Sequence, residues 1–355
     1  MHDDYVFSIG LMSGTSLDGL DVVYVKFRKN DYKEFKILTS KTYVYSNDWI
    51  EKLRNAIFYS EDKLKALNLN YGRFLGEKVN RFIKEENIKR IDFVASHGHT
   101  VFHQPEKGIT LQIGDGQTLA NIVKLKVVCD FRSQDVELGG QGAPLVPVGD
   151  DILFSEFDAC LNLGGFANIS FVKNNDRLAF DICPVNIVLN HYANRIGFKY
   201  DDSGKIALTG KLNNQLLGEL NKLEFYYLDP PKSLGLEWVS KYIFPLIDKY
   251  NLSVKDILRT YVEHIAIQIG RIAKHISTIL ITGGGAFNSY LMHRISNHSK
   301  SECVIPSDDI INFKEALIFS FLGLLKLDGK INCLRSVTGA KKNHSSGLIF
   351  NPNNS

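Results

Sequence analysis

The sequence lacks any run of basic residues, and its 42 Lys and Arg are nearly balanced by 39 Asp and Glu. Nucleic-acid-binding domains usually carry clustered Lys and Arg, whereas the net charge here is only +3, so we expect no nucleic-acid partner. No apolar run approaches the ~20 residues that a transmembrane helix needs. The acidic start, residues 1–4, leads directly into a strand-like segment and has no feature of a signal peptide. We therefore expect a cytoplasmic protein with no membrane partner.

Cysteine is scarce as well, and the five cysteines are scattered without C-x-x-C spacing. They are Cys129, Cys160, Cys183, Cys303 and Cys333. An odd number of dispersed cysteines in a chain of this size argues against a disulfide framework. We expect free thiols in a reducing compartment.

Two common catalytic motifs are also absent from the sequence. No G-x-x-x-x-G-K-[ST] segment occurs, which excludes a P-loop nucleotide-binding site. No G-x-S-x-G segment occurs, so nothing supports an α/β-hydrolase serine. A nucleotide phosphate would have to be bound by another kind of loop.

Each half of the chain opens with two strand-like runs around a glycine turn. In the first half the runs are 5–10 and 21–27, and in the second half they are 157–163 and 167–172. Strands and helices alternate after each pair, which is typical of the α/β class. The repeated pattern indicates an ancient duplication.

Several other segments carry local signals of secondary structure. Helical periodicity or a helix-start signal is found at 48–58, 61–86, the residues after Ser253, 286–295 and 314–327. The polar tail 341–355 is expected to be frayed. The glycine- and proline-rich stretch 137–150 predicts a domain boundary, which gives domains 1–148 (joined by 335–355) and 149–334.

The first hairpin turn combines glycines, hydroxyls and carboxylates. Its candidate nucleotide-binding residues are Ser13, Gly14, Thr15, Ser16, Leu17, Asp18, Gly19, Leu20 and Asp21. Glycines allow backbone N–H groups to approach phosphate oxygens, and Asp18 and Asp21 are suitable ligands for Mg²⁺. A tight hairpin that binds nothing would need only a Gly and an Asp.

A second glycine turn, Gly283-Gly284-Gly285, lies between a strand-like run and a helix. Backbone without side chains can pack against an adenine or a ribose, and a helix N-terminus favours an anion. A close strand–helix crossing would explain the same glycines without a ligand.

Asp181 ends a strand early in the second half, in the segment Asp181-Ile182-Cys183-Pro184-Val185. A carboxylate at a strand end can act as a general base toward water or a sugar hydroxyl. Because a helical stretch follows, Asp181 would equally suit a helix N-cap, and its neighbours do not decide between these roles.

Three histidines, His97, His99 and His103, lie close together in the sequence. The H-x-H spacing places two imidazoles on one side of a strand, and Asp115 or Asp130 would complete a zinc site, as in a metal-dependent hydrolase. Alternatively, these residues are structural or bind a sugar through hydrogen bonds.

Taken together, these residues resemble the anhydro-N-acetylmuramic acid kinase family along essentially the whole chain. The matching blocks are GLMSGTSLDGLDVV (10–23), SHGHTVFHQP (96–105), LQIGDG (111–116), DFRSQDVELGGQGAPLVP (130–147), LNLGGFANIS (161–170), ITGGGAFN (281–288) and SVTGA (336–340). The resemblance implies a two-domain actin-like (ribonuclease H-like) sugar kinase fold with ATP in an interdomain cleft. A homodimer is a further expectation from the family.

The resemblance also implies a reaction in peptidoglycan recycling. Water opens the 1,6-anhydro ring of an amino sugar, and the freed O6 takes the γ-phosphoryl group of Mg²⁺-ATP. By position, Asp181 matches the catalytic aspartate, Gly14 to Asp21 the phosphate-binding stretch and Gly283 to Gly285 the adenosine-side turn. The residues in blocks that would line the sugar pocket are His97, Thr100, Asp115 and Arg132.

The segment after Asp181 departs from the family's usual D-T-G-P-G-N. Here Ile182, Cys183 and Val185 replace the Thr and both Gly, while Pro184 and Asn186 remain. The lost glycines would allow a backbone to approach the ligand closely. A kinase for a related anhydro-sugar, or a nucleotide-binding protein without catalysis, is therefore an alternative.

Overall fold

The chain forms two compact units in a computed structural model that describes residues 4–14 and 16–353. One unit contains Met1–Leu153 and Phe313–Ser355, and the other contains Phe154–Asn312. These limits differ from the sequence-based boundaries at 148 and 334, because most of the last long helix packs with the first unit.

The helices and strands are numbered in chain order. The first 153 residues contain β1 Tyr5–Ser13, β2 Gly19–Arg28, β3 Asp31–Val44, α1 Asn47–Asn55, α2 Glu61–Glu85, β4 Phe93–Ser96, β5 His99–Gln104, β6 Ile109–Ile113, α3 Gly116–Val123, β7 Val127–Cys129, α4 Ser133–Glu137 and α5 Pro147–Leu153. The next segment contains β8 Ala159–Leu163, β9 Phe166–Lys173, β10 Asp176–Pro184, α6 Asn186–Asn194, α7 Lys205–Leu208, α8 Asn214–Leu220, α9 Leu236–Trp238, α10 Phe244–Asp248, α11 Val254–Ala273, β11 Thr278–Thr282, α12 Ser289–His298 and β12 Glu302–Val304. The last segment contains α13 Asp308–Leu327, α14 Arg335–Thr338 and β13 Leu348–Phe350.

The first unit is built on a six-stranded sheet in the order β13-β7-β4-β1-β2-β3. Strands β1, β2 and β3 are antiparallel, whereas β4 and β7 continue the sheet in parallel. The apolar residues of β1, such as Ile9 and Leu11, are fully buried in the core. The expected fraying of the tail 341–355 is wrong for its described part, because β13 pairs with β7 at the sheet edge, while residues 354 and 355 lie outside the described residues.

The second unit repeats this topology in a five-stranded sheet, in the order β10-β9-β8-β11-β12. An antiparallel meander, β8 to β10, is again followed by parallel strands. Ser253 caps α11 as its sequence predicts, with its hydroxyl accepting from the Asp256 amide. The same strand order in both units confirms the predicted α/β, two-domain actin-like class. Among the described residues, no helix has the length and apolar character that crossing a bilayer requires.

Helix α13 lies unusually close to β1 at Gly10. A Cβ atom at Gly10 would lie 2.1 Å from the Ala316 carbonyl oxygen and 2.8 Å from the Ser320 Cβ. Contacts this short with a backbone atom cannot be relieved by a side-chain rotation. The absence of a side chain at Gly10 therefore sets the separation between the sheet and this helix.

We expect Gly10→Ala to lower the free energy of unfolding by about 3 kcal/mol, because the new methyl group overpacks the contact with Ala316. Urea denaturation followed by circular dichroism measures the change. Gly218→Ala is the matched control, since a Cβ there meets no described atom within 4 Å. Because Gly218 lies within helix α8, its replacement by Ala should raise the free energy of unfolding by about 0.5–1 kcal/mol. Equal midpoints for wild type and Gly10→Ala would show that α13 can shift freely.

Candidate functional site

The candidate phosphate-binding turn connects β1 to β2 in the first unit. Leu17 has a positive φ of 60°, and its amide donates to the Gly14 carbonyl across 3.4 Å. Ser16 and Asp18 are exposed at the turn, whereas Leu20 is fully buried in β2. The predicted ligand-binding residue Thr15 lies outside the described residues. The exposed part of the turn, rather than its whole length, is therefore available to a ligand.

Ser13 is buried at the end of β1 and belongs to a chain of hydroxyl hydrogen bonds. The Tyr71 hydroxyl contacts that of Tyr45 (2.5 Å), the Tyr45 hydroxyl donates to Ser13 Oγ (2.7 Å), and Ser13 donates to His99 Nδ1 (2.9 Å). Burial lowers the pKa of His99 to about 4, which keeps the imidazole neutral as an acceptor. The Ser13 side chain thus orders the start of the turn, and only its backbone is left for a phosphate.

Two carboxylates, those of Asp18 and Asp21, lie where the turn leads into β2. Asp21 is partly buried and accepts a hydrogen bond from Thr42 Oγ1 at 2.6 Å. Burial raises the pKa of Asp21, and the negative charge of Asp18 acts in the same direction. A cation bound between them would relieve this repulsion, and carboxylate oxygens are the ligands that Mg²⁺ prefers. These two residues therefore fit the predicted metal.

Arg132 and His97 form a tight pair in the first unit. Arg132 donates to His97 Nε2 from Nε (3.1 Å) and Nη2 (2.9 Å), and from Nη1 to the Gly142 carbonyl (2.7 Å). His97 Nδ1 donates to the Gly98 carbonyl at 3.0 Å, so both ring nitrogens are occupied. Burial and, next, the Arg132 charge lower the pKa of His97 well below its usual value, while burial lowers that of Arg132 to about 10.

The metal-hydrolase alternative gains no support from this geometry. His97 Nε2 accepts from a guanidinium, His99 Nδ1 bonds Ser13, and His103 Nδ1 lies 3.3 Å from Thr110 Oγ1. Within residues 4–14 and 16–353, the three histidines do not form a group of ligand atoms close enough to hold one ion. The interpretation as structural or sugar-binding histidines remains.

A cavity of about 150 Å³ brings two of the predicted sugar-binding residues together. His97 and Asp115 line it with Asp130, although one Asp115 oxygen already caps α3 by accepting from the Thr118 amide. Thr100 is not part of this lining. A larger depression of about 580 Å³ beside α1 and α2 contains none of the predicted site residues, so we place the candidate site by its chemistry rather than by cavity size.

Asp181 is partly buried in the second unit, next to a β-bulge in β10. The Leu234 amide donates to Asp181 Oδ2 at 2.8 Å, and the Asp181 amide donates to the Lys232 carbonyl at 3.1 Å. The other carboxylate oxygen, Oδ1, accepts no hydrogen bond within the described part of the chain. Burial raises the pKa of Asp181. The helix N-cap alternative is wrong, because the cap of α6 is Val185.

The residues that depart from the family pattern are packed into the core of the second unit. Ile182, Cys183 and Val185 are at most 3% exposed. The Val185 amide donates to the Gly165 carbonyl at 2.8 Å, and Asn186 Nδ2 donates to the Leu163 carbonyl at 3.1 Å. The substitutions therefore enlarge a buried apolar cluster, and the backbone at this position is held by β8 and its turn.

The glycine triplet packs against the end of β8. A Cβ at Gly283 (φ +81°) would lie 2.4 Å from Asn162 Oδ1, and a Cβ at Gly285 would lie 2.7 Å from the Leu163 Cβ. Gly284 is exposed, and a Cβ there would lie 3.8 Å from Asn186 Nδ2, which is an ordinary contact. Two of the glycines are thus required by the strand–helix crossing, and Gly284 is the one available to a nucleotide.

Sequence reasoning missed two groups of residues beside the predicted ones. The segment 230–235 supplies the Leu234 amide that holds Asp181, and its Pro-Pro-Lys-Ser composition was the available signal of a special turn. In the first unit, Lys314 pairs with Asp150 at 2.7 Å. Part of Glu315 is exposed to solvent. The protein atoms around its carboxyl group nevertheless raise its pKa, while the charges of Lys314 and Arg132 lower it.

Comparison with known proteins gives matches along nearly the whole chain. Residues 6–352 match the model of the family described as anhydro-N-acetylmuramic acid kinase. A protein of that name from Francisella tularensis subsp. novicida is 34% identical over 98% of this chain and 99% of its own length, and one from Clostridioides difficile is 33% identical over 97% and 98%. Among solved structures, the activator of 2-hydroxyisocaproyl-CoA dehydratase from Clostridium difficile, with bound ADPNP, is 14% identical. It covers 89% of this chain and 92% of its own, with a TM-score of 0.46.

Arg132→Met should lower the free energy of unfolding by about 1–3 kcal/mol, because it leaves the Gly142 carbonyl and His97 Nε2 without their donors. It should also raise the pKa of His97, since the Arg132 charge holds that pKa down. Thermal unfolding and an NMR titration of His97 measure the two effects. The control Arg73→Met, on the exposed face of α2, should change stability by less than about 0.5 kcal/mol. An unchanged pKa of His97 would contradict the pairing.

Proposed function

Because the chain belongs to the anhydro-N-acetylmuramic acid kinase family, we propose that it opens the 1,6-anhydro ring of anhydro-N-acetylmuramic acid and phosphorylates O6 with ATP. The products are N-acetylmuramate 6-phosphate and ADP, as expected for peptidoglycan recycling. The observation that carries this proposal is the Asp181 carboxylate. One of its oxygens is fixed by the Leu234 amide, and the other accepts no hydrogen bond from any described residue.

Asp181 acts as the general base in this proposal. Its Oδ1 takes a proton from water while the water oxygen bonds the anomeric carbon. The bond between that carbon and O6 breaks, its electron pair stays on O6, and O6 bonds the γ-phosphorus as ADP leaves. Since burial raises the pKa of Asp181, the carboxylate is a stronger base than an exposed aspartate.

The turn between β1 and β2 binds the phosphates in this proposal. Backbone amides around Gly14 and the exposed Ser16 hydroxyl donate to phosphate oxygens, while Asp18 and Asp21 hold Mg²⁺ directly or through water. The bound ion would neutralise charge on the transferred phosphoryl group. Gly284 offers its exposed backbone to the adenosine side.

The sugar contacts are proposed for the first unit. His97 and Asp115 line one cavity, and Arg132 fixes the orientation of His97. Both His97 nitrogens are already bonded, so His97 in this proposal shapes the wall of the cavity, and Asp115 makes the direct polar contact with the sugar there. Thr100 lies outside this lining and would contact the sugar only from beyond the cavity. A closely related anhydro-sugar is the alternative substrate, because the segment after Asp181 differs from the family pattern.

Burial of the altered residues favours catalysis over a role in nucleotide binding alone. Ile182 and Val185 fill the core of the second unit. The Asp181 carboxylate keeps its backbone donor despite the substitutions. We further propose a cytoplasmic location, while the homodimer remains a prediction.

The test of this function is ATP consumption by the full chain with anhydro-N-acetylmuramic acid and Mg²⁺, with the sugar product read by mass spectrometry. A product heavier by one water and one phosphoryl group supports the coupled reaction. ADP formation without a modified sugar would contradict it. Turnover of a different anhydro-sugar alone would keep the reaction and change the substrate.

Asp181→Asn should lower kcat by roughly 10²–10⁴-fold, because the amide cannot accept a proton, while ATP affinity is unchanged. In the wild type, kcat/KM should fall as pH drops through the Asp181 pKa, which lies above the ordinary value for an aspartate. Asp176→Asn, an exposed residue on the same strand, is the control and should retain full activity. Wild-type turnover in Asp181→Asn would remove this residue from the role of base.

Asp18→Ala should weaken Mg²⁺-ATP binding by about 10–100-fold, because one of the two carboxylates at the turn is lost. Isothermal titration with and without Mg²⁺ measures the effect, which should disappear when the ion is omitted. Asp31→Ala, at the start of β3 and away from the turn, serves as the control. The same loss of affinity in the absence of Mg²⁺ would place Asp18 outside the metal's surroundings.

A further inference from the structure

A second group of potential metal ligands is buried in the first unit, apart from the three clustered histidines. Cys333 and His344 face each other in an isolated antiparallel bridge. The His344 amide donates to the Cys333 carbonyl (3.2 Å), and the Cys333 amide donates to the His344 carbonyl (3.1 Å). Because residues directly opposite in a bridge project to the same side, the two side chains lie together. Asp135 on α4 approaches both of them.

The three side chains converge within the protein interior. Sγ of Cys333, an imidazole nitrogen of His344 and a carboxylate oxygen of Asp135 all lie within 4.8 Å of one another. Asp135 Oδ1 is 3.0 Å from Sγ and 3.5 Å from Nε2. Asp135 and Cys333 are 0% exposed and His344 is 5% exposed. In the described residues this is the one group of three His, Cys, Asp or Glu with such geometry.

His344 Nε2 is a buried nitrogen with no hydrogen-bond partner among the described residues. His344 Nδ1 donates to the Lys342 carbonyl at 3.1 Å, so the neutral ring carries its lone pair on Nε2. That lone pair faces Asp135 Oδ1, which is also an acceptor. Two acceptors 3.5 Å apart repel each other, and a metal ion coordinated by both atoms would remove this repulsion.

The neighbouring Cys333 thiol supplies the third ligand atom of this group. A thiolate, an imidazole and a carboxylate are the ligand types that Zn²⁺ takes in a tetrahedral site. Without a metal, the Cys333 thiol donates to Asp135 Oδ1. Zinc binding would release this proton to solvent, and the two anionic ligands would then balance the charge of Zn²⁺, so the interior gains no net charge. Ligand atoms around a tetrahedral zinc would lie roughly 3.3–3.6 Å apart. The observed spacings of 3.0 Å and 3.5 Å therefore need only small side-chain shifts.

We propose that Asp135, Cys333 and His344 bind a structural zinc ion, with one remaining position for a small oxygen ligand such as water. The ion would tie the carboxyl-terminal segment to the loop that follows α4. Asp135 already connects these parts, since it accepts from Thr338 Oγ1 (2.8 Å) and from the Gly142 amide (2.7 Å). This proposal goes beyond the proposed kinase reaction, because none of the three zinc ligands contacts the sugar or ATP in it.

The full chain, purified and treated with a chelator, is the material for the test. One metal-free sample is incubated with Zn²⁺ and dialysed to remove unbound ion, and its zinc content is then measured by mass spectrometry of the metal. A second metal-free sample receives Co²⁺ as a spectroscopic probe. Wild type should take up about one zinc per chain, and its Co²⁺ form should show a thiolate-to-cobalt charge-transfer band. Zinc should also raise the melting temperature of the metal-free chain.

The variants Cys333→Ser and His344→Asn should each reduce zinc uptake, and Cys333→Ser should abolish the cobalt–thiolate band. Cys160→Ser, a buried cysteine of the second unit, is the control and should keep both. Circular dichroism shows whether each variant is folded. Equal zinc content in wild type and Cys333→Ser, or a folded wild-type chain without zinc uptake and without the cobalt band, would overturn the proposal. Sugar turnover without zinc uptake would leave the kinase function intact and reject this site.

Discussion

The buried carboxylate of Asp135 is the interaction on which the loops of the first unit depend. It accepts hydrogen bonds from the Gly142 amide, from Thr338 Oγ1 and from the Cys333 thiol, so it joins α4, the following loop and the carboxyl-terminal segment. The Gly142 carbonyl in turn accepts from Arg132, which holds His97. A buried carboxylate is costly unless such donors surround it, and their satisfaction fixes the loop in one conformation. The orientation of the candidate sugar-binding residues is therefore set from outside the site.

The second unit holds the candidate base Asp181 in a different way. Asp181 depends on backbone rather than on side chains, because the Leu234 amide donates to its carboxylate and the Lys232 carbonyl accepts from its amide. The apolar residues that follow Asp181 strengthen the core beneath it. Any residue except proline at position 234 supplies this backbone donor, so the carboxylate can be positioned while the neighbouring sequence changes. This explains how the departure from the family pattern is accommodated in the fold.

Local sequence patterns predicted those features that depend on local structure. The glycine-turn hairpins and the Ser253 cap are correct because strand alternation and capping are decided within a few residues. The pairing of β13 with β7 and the contact of Thr338 with Asp135 span more than 200 residues and leave no local trace. The same limit applies to Leu234, which lies 53 residues from Asp181. The resemblance to the family predicted which residues are candidates for the site. Their hydrogen-bond partners could be identified only from the three-dimensional structure.

The first unit is discontinuous in sequence, since the chain leaves it at Leu153 and returns at Phe313. Until residues 313–355 have been synthesised, the sheet of the first unit lacks its edge strand β13. Strand β1 also lacks helix α13, which packs against Gly10. The second unit has no such requirement, because Phe154–Asn312 supplies all of its strands. On a ribosome, the middle of the chain can therefore reach its final packing while the amino-terminal part still waits for its closing segment.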